Sequence, residues 1–350
     1  MRHGAQGAAL LELLVATLVA LAAVGTITLA LPPVLDVVQA VPEATDLHQR
    51  ARAAEQIVTA TLVNAGAGAD LVGEGPLSHA VPAVLPRRLG TGGDPPGTAW
   101  ADRVTVLHAP ARAAQAPLAA VLLAGDALVR LQWHPACGTH PSCGFTRGDL
   151  VLVHGRDGAT AVSTLALVSG LELTLGSPPD QTISPPAHAV AVAASTLHFD
   201  AARRQLRRAD DLTSSQPVVD DVVGMGVRYY GTAGPLRWPA IAGGDTCAVA
   251  ADGTPRTGLL GPVPGPPVEL AVADFLDGPW CGSGAWQFDL DLLRIRALRV
   301  NLRLQAAAAA VRGRWPAWFA IPGSAQRPGV EVRDVEQEVF VPLPNLAWGQ

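Results

Sequence analysis

The 350-residue chain contains no lysine; all 25 of its basic residues are arginine. That excludes a Schiff base on a lysine amine and a phosphate-binding P-loop, since both need that side chain. There is no G-x-S-x-G run, so the nucleophile elbow of the α/β-hydrolases is missing too. Charge is scarce, at 16% of residues, where globular chains carry about 25%. A net charge of −5 argues against nucleic acid as a main partner. What the chain has instead is apolar side chain, 49% of it, enough to bury a core and to exclude ordinary disorder. With 36 glycines and 30 prolines, turns and irregular loops must be plentiful. The length suits about two domains or one large one.

The N-terminus carries the strongest pattern. Residues 1–7, MRHGAQG, are short and polar, with Arg2 as the one full side-chain charge. Residues 8–31 are apolar apart from Glu12, and Pro32 and Pro33 follow. At about 1.5 Å per residue, a helix of that length covers a hydrocarbon core of about 30 Å. A basic leader with no charge just beyond the run favours an N-in, C-out orientation. A secretory signal peptide cut between Ala20 and Gly25 fits this pattern, and so does a plain signal anchor. Neither has a use for Glu12. A charged residue at the centre of a membrane helix costs about 2.5–3.5 kcal/mol on insertion scales. A cut between Gly7 and Ala8 would place a free amine at Ala8, one helical turn before Glu12. That amine could pair with Glu12 or with its equivalent on a neighbouring subunit, lowering the burial cost and setting the axial register.

Gly7 followed by AALLELLVATLVAL resembles the class I prepilin N-terminus shared by type IV pilins and type II secretion pseudopilins. The resemblance implies cleavage after Gly7, N-methylation of Ala8 and a role in filament assembly for Glu12 at the fifth mature position. Ala8 stands where the family usually has Phe, Met or Leu. The implied architecture is α+β: a long N-terminal transmembrane helix packed on a β-rich, pilin-like globular domain. The chain then divides into a leader (1–7), the transmembrane and assembly half of the helix (8–31), its amphipathic half (32–65) and a periplasmic body (66–350).

The residues beyond the apolar run are consistent with that division. Leu47, Ala51, Ala54, Val58 and Leu62 form one helical stripe, with Arg50, Arg52 and Glu55 off it. Pro42 should kink or break the entry to this helix, and Asn64-Ala65-Gly66 should stop it. Residues 66–101 read as a long loop holding a short strand. Strands are expected over 103–108, 118–123, 127–133, 149–154 and 161–168. Residues 188–210 read as a hairpin, and 220–231 as a turn or short helix followed by a strand. In 298–305, Leu298, Val300, Leu302 and Leu304 alternate with Arg299, Asn301 and Arg303. A second alternation starts at Val330 and Val332 and continues through VEQEVFVPL. Opposite charges on the two polar faces mark these as neighbouring strands. The connection between them holds an alanine run that reads as a helical turn.

Taken with the N-terminus, these segments resemble the PilW-type minor pilins and the GspJ-type pseudopilins. The usual closing Arg-Asn of that group stands here as Pro344-Asn345. The resemblance implies a structural role rather than an enzyme: a minor subunit that joins or primes the filament, at its tip. Its expected partners are a prepilin peptidase, other pilins or pseudopilins and inner-membrane lipid. Nucleic acid and cofactors are not expected. The chain would sit in the inner membrane with its body in the periplasm, then pass into the filament.

Cys137, Cys143, Cys247 and Cys281 all follow the apolar run. An even count in an oxidising compartment suggests disulfides. The favoured pairing is Cys137–Cys143 and Cys247–Cys281, among three that are possible. Zinc is the alternative at HPACGTHPSC, where His134, Cys137, His140 and Cys143 recur every third residue. The pairs Asp210-Asp211 and Asp220-Asp221 lack EF-hand spacing and read as solvated turns. Arg203, Arg204, Arg207 and Arg208 read as a solvated hairpin face. A different class of function, a secreted or anchored β-rich binding or carbohydrate-active protein, would use Trp133, Trp238, Trp280 and Trp286 as stacking surfaces.

Overall fold

The computed structural model describes residues 4–68, 77, 81–90, 92–155, 159–210, 212, 214–232, 266–278, 280–282, 284–325 and 330–346. The fold is α+β, an N-terminal apolar helix and a β-rich sheet domain. Helix α1 runs unbroken from Gly4 to Leu62. It passes through Pro32, Pro33 and Pro42, so the expected break at Pro42 does not occur. Each proline removes only one i→i−4 hydrogen bond, and its fixed φ is that of a helix. All five stripe residues are buried, from Leu47 to Leu62. The helix stops in the turn at 63–66, where Gly66 has φ +70° and donates its N–H to the Leu107 carbonyl at 2.8 Å.

The chain forms two compact units, Met1–Ala51 with Leu304–Val335, and Arg52–Arg303 with Glu336–Gln350. In the first, the connection after Leu304 is held by polar contacts to α1. Glu43 accepts the N–H groups of Ala307 and Ala308, and Arg50 donates to the Gln305 carbonyl at 3.3 Å. Gln305 is fully buried and donates to Ile321 and Asp334, both at 3.0 Å, while Arg312 donates to its side-chain oxygen. The alanine run closes as a single 3-10 turn, Ala309–Val311.

The second unit holds the sheets. The larger has ten strands among the described residues. These are β1 (Val84–Leu85), β2 (Arg103–His108), β3 (Gln115–Pro117), β4 (Leu128–Arg130), β5 (Leu150–Gly155), β6 (Thr160–Ser169), β7 (Glu172–Leu175), β8 (Ala187–Asp200), β9 (Gln205–Ala209) and β10 (Gln216–Asp220). The main path runs β1-β2-β8-β5-β6-β7-β4. Strand β8 organises it, bonding to β2, β3, β5 and β9, all antiparallel. Its small apolar run AHAVAVAA suits an interior strand covered on both faces. The second sheet orders β12-β11-β15-β16: β11 (Val222–Gly231), β12 (Val268–Leu270), β15 (Ile295–Leu304) and β16 (Val335–Pro342). Between these lies the short pair β13 (Trp280–Cys281) and β14 (Phe288–Asp289).

Most expected strands fall where the alternation placed them. Residues 118–123 are an exception: they make only isolated bridges, Leu118 with Leu131 and Leu122 with Ile183, while the strand lies just before them as β3. Residues 127–133 shorten to β4, leaving Trp133 exposed beyond it. The alternation from Val330 becomes a strand only at Val335, because Val332 and Asp334 donate instead to carbonyls of the connection. β15 and β16 are neighbours as expected, and Arg299 pairs with Glu338 at 3.5 Å.

His154 on β5 lies opposite His188 on β8, with ring centroids 5.8 Å apart. Both are buried. Burial first, and the charge of His188 second, push His154 down from 6.5 to about 4. Between those values the unfolded chain binds the proton and the folded chain does not, so stability rises with pH across the window and is lost as pH falls. The melting temperature should therefore hold near neutral pH and fall between pH 6.5 and 4, with a loss of up to about 3 kcal/mol at the low end. Thermal scans of wild type and His154→Gln check this; the variant should show the flatter profile.

Candidate functional site

The residues of the prepilin-like motif lie in the first turns of α1. Gly7, Ala8 and Glu12 all have helical backbone, so Glu12 sits four residues, about 6 Å of axial rise, beyond Ala8. Leu11–Thr28 is long and apolar enough to cross a membrane, with mean hydropathy 2.1 and no buried residue. Large side chains are exposed all around it, among them Leu11, Leu14, Leu18, Leu21 and Ile27. The hydroxyls in this span are satisfied within the helix. Thr17 donates to Leu14, Thr26 to Ala23, and Thr28 to Val24 and Gly25, at 2.8–3.0 Å. Such bonds let a hydroxyl sit in hydrocarbon without an orphaned donor. Glu12 has no such bond among the described residues; it is the one charged side chain of the span.

At the other end of α1, Asn345 donates its side-chain amide to the carbonyls of Val63 and Ala65, at 2.9 and 3.2 Å. These acceptors lie just past the end of the helical ladder. Gln337 on β16 donates to Glu55 at 3.1 Å. The role of Asn345 was not legible in the sequence beyond its place in the closing dipeptide.

Cys137 and Cys143 form a disulfide, closing a loop that starts with the 3-10 turn Pro135–Cys137. Both sulfurs are consumed in that bond, so the alternative Cys₂His₂ zinc set with His134 and His140 does not form. The two cysteines join the core around Phe145, Val151, Val153 and Leu173. Cys281 is also disulfide-bonded; Cys247 lies outside the described residues.

The remaining polar candidates resolve into internal pairs. Arg203 pairs with Asp200, Arg204 with Asp221 and Arg208 with Asp210, while Arg207 donates to Gln205 and Ser215. Asp210 also accepts from Ser195, and Asp220 from Gln205; Asp211 lies outside the described residues. Three of the four hairpin arginines are thus paired with acids, and Arg207 bonds to neutral groups. Of the tryptophans, Trp133 is exposed beside the edge strand β4, Trp280 is exposed on β13, and Trp286 follows in the 3-10 turn Gly284–Trp286. Trp238 lies outside the described residues.

One polar cluster was missed by sequence reasoning. Carboxylate oxygens of Asp277, Asp289 and Asp291 converge within 4.8 Å. Asp289 accepts N–H groups from Gly278 at 2.6 Å and Asp291 at 2.9 Å, and burial nevertheless pushes its carboxyl up. Asp291 pairs with Arg294 at 3.1 Å, and Arg294 donates to the Thr232 carbonyl. The short spacing D-L-D-L-L-R was the available hint; what it lacked was the turn that folds Asp277 back. Compared with protein-family models, curated proteins and solved structures, the chain finds no match in any of the three.

Proposed function

We propose that this chain is a structural minor pilin of the PilW type, made as a membrane-inserted precursor and incorporated into a type IV pilus or priming it at the tip. A prepilin peptidase cuts after Gly7, and Ala8 becomes the methylated N-terminus. The apolar half of α1 holds the subunit in the inner membrane and then packs among other subunits' helices in the filament core. The β-rich body stands in the periplasm and makes lateral contacts. The role is structural, with no catalytic step.

The observation that carries this reading is Glu12. It is a lone carboxylate with no partner among the described residues, in a span whose hydroxyls are all satisfied, one turn from a Gly-Ala junction. A signal peptide or a plain anchor gives that carboxylate no purpose; a packed bundle with a free amine at Ala8 does. The continuous helix Gly4–Leu62, exposed along its apolar half and buried along its stripe, supports the same reading.

The test is the intact mass and N-terminal sequence of the protein from its host's membrane fraction. A chain starting at Ala8, with or without one added methyl, is the expected result. A start near Gly25 or at Met1 would overturn it. The GspJ-type secretion pseudopilins share every one of these features; recovery of the chain in sheared surface pili, rather than in the envelope alone, separates the two.

A further inference from the structure

A groove of about 830 Å³ lies in the sheet-bearing unit, lined by no residue of α1. The start of β6 lines it with Ala161, Val162, Ser163 and Thr164. Arg88–Gly90 and Gly93–Pro95 form one wall, the turn Ser177–Asp180 another, and Trp286 also lines it.

The walls are held firmly. The turn is tied to β6 by two bonds: Gly176 N–H donates to the Thr164 carbonyl at 2.7 Å and Ser177 N–H to the Ser163 hydroxyl at 2.9 Å. The opposite wall is closed on itself by Asp94, which accepts the Arg88 N–H at 2.7 Å and pairs with the Arg88 and Arg103 guanidinium groups. Gly90 in that wall has φ +82°, and a Cβ there would lie 2.0 Å from the Leu212 carbonyl, so only glycine permits the approach. Trp286 borders a second, small apolar cavity with Leu85, Leu107, Val162 and Phe288. A single indole therefore rests against apolar side chains and also faces the groove.

The lining selects a ligand class. Arg88 is paired with Asp94, and Asp180 is exposed with no ion pair among the described residues, so the lining presents a carboxylate without a paired cation. That disfavours phosphates, nucleotides and other anions. An extended peptide would need a strand edge with open N–H and C=O groups. The first half of β6 has β5 on one side; on the other, the Thr164 carbonyl is taken by the Gly176 N–H and the Thr160 carbonyl by the Gln181 side chain, which leaves only Val162 between them, too short an edge for a strand to add. What remains is one aromatic plane, one carboxylate and the exposed hydroxyls of Thr164 and Ser177. A pyranose presents an apolar C–H face bordered by hydroxyls, which matches a ring platform flanked by acceptors. We propose that this groove binds a neutral oligosaccharide, with one sugar ring on Trp286 and its hydroxyls on Asp180, Ser177 and Thr164. A filament subunit with such a site would adhere to glycan, a role independent of how the subunit is processed.

The test uses the full chain in a polyoxyethylene detergent, since maltoside and glucoside detergents would compete. Maltotriose, cellotriose and chitotriose are the probes, read by saturation transfer to sugar C–H protons and by tryptophan fluorescence. At least one should bind saturably, Trp286→Phe should bind it more weakly, and Trp286→Ala should not bind it. Asp180→Asn, at an exposed position where folding is not at stake, should weaken binding about tenfold, the loss of one charge-assisted hydrogen bond. Failure of all three sugars overturns the proposal. So does unchanged affinity in Asp180→Asn, or in a Trp286→Ala variant whose circular dichroism is that of wild type. Glu12→Leu should bind sugar as wild type does, which keeps this result separate from the filament reading.

Discussion

Glu12→Leu should leave a chain that inserts, folds and accumulates in the membrane but is missing from sheared filaments. Removing a carboxylate from the span makes insertion easier, not harder, so the membrane pool should not fall. Folding of the body should be untouched, because Glu12 lies in the exposed apolar segment and bonds to nothing in the sheets. What is lost is the pairing of a carboxylate with a terminal amine in low dielectric, which is worth most where water is absent. Loss of that one interaction at every subunit junction should reduce filament content by about a hundredfold, equivalent to ~2.7 kcal/mol. Quantitative immunoblots of membrane and sheared-filament fractions measure both quantities at once. Glu12→Asp, which keeps the charge on a shorter stem, should fall between. A Glu12→Leu chain present in filaments at the wild-type level would remove the main support for the proposed function.

The second large effect concerns stability. Arg294→Met should destabilise the sheet-bearing unit by about 3–5 kcal/mol, the usual result of removing one partner from a buried ion pair. Arg294 is buried, as are Asp289 and Asp291. Without the guanidinium, Asp291 keeps its charge beside Asp289, and the Thr232 carbonyl loses its donor. Asp289 is already pushed above its ordinary value of 3.8, mainly by burial. A raised carboxyl binds its proton more tightly folded than unfolded, so protonation favours the fold. The deficit of the variant should therefore shrink as pH is lowered toward 4. Denaturant midpoints at pH 7 and pH 4.5 test this. The double variant Arg294→Met with Asp291→Leu should regain much of the loss at pH 7, because the carboxylate that Arg294 pairs with is removed along with it. Equal midpoints for wild type and Arg294→Met would show the pair to be energetically neutral.

Periodicity located the elements best where one face is wet and the other dry. β15 alternates between buried and half-exposed residues along its length, and its sequence alternates with it. The helix stripe from Leu47 to Leu62 was equally plain, because a period of 3.6 leaves little room for another reading. Residues 118–123 misled for the opposite reason. APLAAVLLAG is a short apolar run without alternation, and such a run does not distinguish a strand from a buried turn. Its neighbours decided the matter: β3 takes the partner on β8, and Leu118 and Leu122 are left with single bridges. Pro42 does not break the helix, because its cost of about 3 kcal/mol is set against a ladder that stays intact on both sides.

The sequence by itself determined the apolar span with its single carboxylate and the α+β order, and it favoured the Cys137–Cys143 loop among three possible pairings. Each of these depends on residues close together in the chain, where spacing alone dictates geometry. Only the tertiary structure decided which charges meet. Arg204 finds Asp221, Asp94 gathers Arg88 and Arg103, Asn345 reaches the carbonyls of Val63 and Ala65, and Trp286 comes to stand beside β6. Those partners are set by strand order and turn geometry. Many long-range contacts must be satisfied together before any one of them has a definite place, and no local pattern encodes that.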